Sequence, residues 1–128
     1  MVDSRRVGVV GISQGGGIAL AVAGLVPDLA AVVARVPFPC DFPRASVVTD
    51  ALPYKELGQY LAKRAKAPLT ITAALMHSIC PPSTVFGAFN NYAGPKEITL
   101  WPYNGHEGGS WEDDALALAL RAFRWYLA

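Results

Sequence analysis

One junction constrains this chain more than any other feature. A short β-branched run, Arg6 to Val10, enters Gly11-Ile12-Ser13-Gln14-Gly15 and leaves as a helical stretch, Ile18 to Val26, stopped by Pro27. A G-x-S-x-G turn between strand and helix forces the serine into a strained backbone conformation. The residues two before and two after it are expected to be small, because strand and helix backbones approach there. Gly11 and Gly15 meet that need. Ser13 then stands clear at a helix N-terminus, where backbone N–H groups can receive negative charge. The plainer alternative is a glycine-rich turn whose serine only caps the helix. A phosphate loop fits poorly: G-x-x-x-x-G-K-[ST] is absent, and G-x-G-x-x-G fails at Leu20.

The rest of the chain repeats the strand–helix alternation. Ala30 to Val36 is continuously apolar, as for a strand buried on both faces, and Pro37-Phe38-Pro39 ends it. Tyr54 to Lys63 reads as a helix with Tyr54, Leu57 and Leu61 on one face. Pro68 to Met76 is a third strand. Ser83 to Tyr92 is a helix preceded by Pro81-Pro82. Glu97 to Tyr103 is a fourth strand, and Pro102 near its end favours an edge position. Ser110 and Asp113 can form a capping box for a last helix with Leu116, Leu120, Phe123 and Leu127 on one stripe. Strands separated by helices imply an α/β fold: a parallel sheet of about four strands with flanking helices and right-handed crossovers. The 128 residues are expected to form a single domain, 1–128. Ligands on such sheets bind at the carboxyl ends of the strands, here after Val10, Val36, Met76 and Tyr103.

Composition removes several function classes. Charged residues are 16% and hydrophobic residues 52%, which excludes a disordered chain. The net charge of +1 gives no electrostatic case for nucleic acid or an anionic membrane. The longest apolar stretch, Gly15 to Val26, falls short of the ~20 residues a membrane-spanning helix needs. Arg5 and Arg6 precede a short apolar run without an A-x-A site, so no secretory signal is read. Cys40 and Cys80 are expected to be free thiols in a reducing cytoplasm. With two histidines they match no zinc spacing, and no metal or other cofactor is expected.

Two further strand ends carry candidate chemistry. His106 lies in the loop Asn104-Gly105-His106-Glu107-Gly108-Gly109, past the fourth strand, from where it can swing towards Ser13. The order Ser13 then His106 agrees with the Ser…acid…His order of α/β-hydrolases. An acid is expected after the third strand, and His77 stands there instead. Three readings remain for it. His77 is a passive pocket residue, or it fixes the tautomer of His106, or Asp41 beyond the second strand substitutes as the acid. Glu107 adjoins His106, so its side chain is expected to point elsewhere.

These residues carry a family likeness. The blocks 11–17 (GISQGGG), 36–42 (VPFPCDF), 80–86 (CPPSTVF), 94–97 (GPKE) and 105–109 (GHEGG) resemble the bacterial acetyl xylan esterase / cephalosporin C deacetylase family. The resemblance implies a truncated α/β-hydrolase-like fold and serine-dependent removal of acetyl groups from varied alcohols. It maps the nucleophile to Ser13, the base to His106 and one oxyanion donor to the backbone N–H of Gln14. It covers the C-terminal part of the family only. Set against the family pattern, this stretch is expected to lack the first four or five strands, and with them the loop whose tyrosine N–H is the second oxyanion donor. A further segment is missing between Lys63 and Ala67, and His77 occupies the place of the catalytic aspartate.

The expectation is a small serine esterase that hydrolyses short-chain acyl esters through an acyl-enzyme, with a small-molecule ester as its partner. The alternative is a catalytically impaired remnant acting as a binding or self-assembling module. A homo-oligomer is expected, because no preceding strand covers one edge of Arg6 to Val10, and Phe123, Trp125 and Tyr126 crowd the last helix.

Overall fold

The computed structural model describes residues 5–38, 63–106 and 113–127. Their elements run β1 (Gly8–Ile12), α1 (Gln14–Leu25), β2 (Ala31–Arg35), β3 (Leu69–Ala74), α2 (Pro82–Asn91), β4 (Lys96–Trp101) and α3 (Asp113–Leu127). The expected helix over Tyr54 to Lys63 and the Ser110 cap lie outside the described residues. Four parallel strands pair in the order β1-β2-β3-β4. Parallel neighbours need crossovers, and α1 and α2 supply two of them.

The core follows from the alternation of side chains along each strand. Val32 and Ala34 of β2 and Leu69, Ile71 and Ala73 of β3 share one face, in register Val32↔Leu69 and Ala34↔Ile71. On that face they meet Ala19, Leu20 and Ala23 of α1 and Val85 and Ala88 of α2. Ala31, Val33 and Arg35 therefore point to the other face, where α3 packs against β2. Both central strands are buried throughout, which explains their continuously apolar sequence. Among the described residues β1 and β4 are the edges of the sheet and are only partly covered. Pro102 just past β4 fits its edge position. Small residues set the close approaches. A Cβ at Gly8 would lie 2.0 Å from Phe123 of α3, and one at Gly94 2.6 Å from the Lys66 carbonyl. The loop before β3 is tied further by the Tyr92 hydroxyl, which donates to the Ala67 carbonyl at 2.8 Å.

Element boundaries differ from the sequence reading mainly at the first junction. β1 starts two residues later than Arg6 and runs on to Ile12, because Gly11 and Ile12 continue the pairing with Ala34 and Arg35. α1 starts at Gln14, four residues before Ile18. The glycines at 15–17 are thus the first turn of the helix and not a loop before it. β2 ends at Arg35 because Val36 turns to φ 34°, where its N–H reaches the Thr72 carbonyl at 3.2 Å and the Thr72 hydroxyl at 3.0 Å. Among the described residues no helix is long and apolar enough to cross a membrane.

Candidate active site

Ser13 has φ 53° and ψ −121°, a backbone conformation that a non-glycine residue adopts only when its surroundings hold it there. Three hydrogen bonds do so. Its N–H donates to the Arg35 carbonyl at 2.9 Å, at the end of β2. Its carbonyl accepts from Gly17 at 3.1 Å, opening α1, and from Phe38 at 2.8 Å, beyond β2. The strain costs ~1–3 kcal/mol, and such strain clusters at functional sites. Although Ser13 occupies the N-cap position, its hydroxyl makes no capping bond. The capping alternative is therefore corrected: this serine is held through its backbone, and its hydroxyl does not cap the helix. Gln14 opens α1, so its N–H has no carbonyl within the helix to bond.

The two glycines of the motif are not equivalent. A Cβ at Gly11 would lie 2.0 Å from the Gly15 carbonyl oxygen and 2.2 Å from its carbon, so backbone meets backbone. A Cβ at Gly15 would meet nothing within 4 Å. The expectation that both must be small is corrected at Gly15: its backbone, not its missing side chain, fills the space at Gly11.

His77 and His106 come together at the same end of the sheet. The loops after β3 and β4 are joined by Leu75 N–H to the Trp101 carbonyl at 2.9 Å and Met76 N–H to the Asn104 carbonyl at 3.2 Å. This brings His106 Nδ1 to 2.7 Å from His77 Nε2, with the rings edge to face at 88°. His77 is 4% exposed, whereas His106 is open to solvent. The other nitrogen of His77, Nδ1, accepts from Cys80 N–H at 2.9 Å and Ile79 N–H at 3.2 Å. Accepting from residues two and three ahead is what an Asp or Asn side chain does in an Asx turn. His77 thus contacts His106 directly. Among the described residues no hydrogen bond joins Ser13 to His106. Asp41, Glu107 and Cys40 lie outside the described residues.

Cys80 joins this cluster, which the sequence did not signal. One ligand atom from each of His77, Cys80 and His106 lies within 4.8 Å of the others. Spacing along the chain concealed the group because loop contacts, not a short motif, assemble it. The hydrogen bonding is the wrong way round for a metal ligand set. A ligating histidine donates its second N–H to an acceptor. Here the second nitrogen of His77 accepts two N–H groups, so a cation on Nε2 would strip both of their partner. Burial also pushes the Cys80 thiol up to about 12, which keeps it protonated at neutral pH.

Comparison with known proteins reaches the same part of the fold. The family model for acetyl xylan esterase matches residues 1–63 and 58–121. The chain belongs to the acetyl xylan esterase family. Two solved members superpose closely. Acetyl xylan esterase from Paenibacillus sp. R4 has a TM-score of 0.84 at 34% identity, covering 98% of this chain and 46% of that one. Acetyl xylan esterase 1 from Thermoanaerobacterium sp. JW/SL YS485 has a TM-score of 0.81 at 34% identity, covering 95% and 47%. Acetyl esterase Axe7A of Xylanibacter ruminicola is 29% identical, covering 81% of this chain and 28% of that protein. The chain therefore spans about half the length of the solved esterases it matches. The acylaminoacyl peptidase of Pyrococcus horikoshii, 16% identical with a TM-score of 0.76, shares the α/β-hydrolase fold alone. The two family segments meet at residues 58–63, beside the Lys63 to Ala67 stretch where the sequence reading places a missing segment.

Proposed function

We propose that this chain carries the nucleophile-and-histidine part of a serine esterase that cleaves short acyl esters, acetyl esters above all. The observation that supports it most is Ser13: strained at φ 53°, pinned through both backbone groups, and with a hydroxyl that does not cap the helix. In the reaction, Ser13 Oγ bonds to the acyl carbon and its proton passes to His106 Nε2. The carbonyl oxygen takes the charge and is held by Gln14 N–H. Collapse expels the alcohol, which takes the proton from His106 and leaves the acyl group on Ser13. Water then repeats the sequence and releases the carboxylic acid. Acetyl as the preferred group rests on what the matched relatives are named for.

The Ser13→Ala variant tests this reading. It should reduce hydrolysis of p-nitrophenyl acetate to the uncatalysed rate while leaving circular dichroism unchanged. Retention of most of the rate would remove Ser13 from the mechanism.

A further inference from the structure

We propose that His77 is a positioning residue that holds His106 in the inverted tautomer, with the proton on Nε2 and the lone pair on Nδ1. The proposal rests on the reading of His106 as the base of Ser13. Backbone N–H groups can only donate. His77 Nδ1 faces two of them, Cys80 at 2.9 Å and Ile79 at 3.2 Å, and so must be the unprotonated nitrogen of a neutral ring. The one proton of that ring is then on Nε2, which lies 2.7 Å from His106 Nδ1. A contact that short holds one hydrogen, so His106 Nδ1 is the acceptor and its own proton sits on Nε2. A carboxylate in the place of His77 does the reverse: it accepts from Nδ1–H and leaves Nε2 free to take the proton of the serine. The contact between loops is thus kept while its polarity is reversed, and His106 in its resting form is a donor where the reaction requires an acceptor. To act as base it must exchange tautomers with His77, which would turn an Nδ1–H of His77 against both backbone N–H groups.

The chain has two histidines, so their ring nitrogens can be assigned by deleting one. Long-range proton–nitrogen correlation NMR on isotope-labelled histidine, above the ordinary histidine pKa of ~6.5, reads each tautomer directly. In the wild type both rings should carry the proton on Nε2. His77→Asn should leave His106 unchanged, because its amide oxygen accepts the two backbone N–H groups and its NH2 donates to Nδ1. His77→Asp should move the His106 proton to Nδ1. A His106 proton on Nδ1 in the wild type overturns the proposal without any variant having to fold. Folded Asn and Asp variants with the same tautomer overturn it too. The readout is independent of hydrolysis, so failure of Ser13→Ala to lose activity would refute the esterase reading and leave the tautomer result standing.

Discussion

His77→Asp should raise kcat/KM for p-nitrophenyl acetate about tenfold, or ~1.4 kcal/mol in the barrier. The site at residue 77 already suits a carboxylate. One oxygen would accept from Ile79 and Cys80 N–H, as His77 Nδ1 now does. The other would accept from His106 Nδ1–H, so that Nε2 is free to take the proton of Ser13. The charge then stabilises the imidazolium formed in the transition state. A wrong-tautomer triad loses ~10⁴ in rate, which sets an upper bound of ~5.5 kcal/mol. The expected gain of about tenfold lies well below that bound. Burial of a new charge at a position 4% exposed is offset by these three hydrogen bonds. Initial rates, with circular dichroism as the check on folding, measure the effect. An unchanged or lower rate in a folded variant would show that the tautomer of His106 does not limit turnover. Asp41→Asn would then distinguish a working acid at 41, by a large loss, from a bare Ser13–His106 dyad.

The second large effect is on stability. Gly11→Ala should lower the unfolding free energy by roughly 3–5 kcal/mol, at or beyond the upper end of ordinary overpacking costs. The added Cβ meets the Gly15 carbonyl at 2.0 Å, and backbone inside the first turn of a helix cannot swing aside as a side chain can. The turn would have to shift, and Ser13 with it. Gly15→Ala is the internal control. Its Cβ meets nothing within 4 Å, and replacing a helical glycine gains ~0.5–1 kcal/mol. Denaturant titration of both variants separates the claims. A Gly11→Ala protein within ~1 kcal/mol of wild type would show that the junction is looser than its geometry indicates.

That pair of glycines shows what was legible in the sequence. The motif gave the junction and its strained serine, because strand, tight turn and helix each leave a local signal. It gave no means of telling which glycine the packing requires, since that depends on the distance between two backbones. The succession of strands and helices follows from alternating apolar runs and helical stretches, while the ends of β1 and α1 differ because a glycine run reads as a turn even inside a helix. His77 was visible as an imidazole where an acid belongs. Its contact with His106 and the direction of its hydrogen bonds were not visible. Both depend on Ile79 and Cys80 N–H turning back on its ring, and on loops after β3 and β4 being joined. One faint signal was available: a polar side chain just past a strand, in a turn that Pro81-Pro82 closes, is a natural Asx-turn position.

The central claim is that Ser13 is a nucleophile, and its most direct test is covalent. Intact-mass and peptide mass spectrometry after prolonged incubation with an organophosphonate should show a single adduct per chain, on Ser13, that Ser13→Ala abolishes. A folded chain that takes up no adduct, or carries it on another residue, would contradict the account.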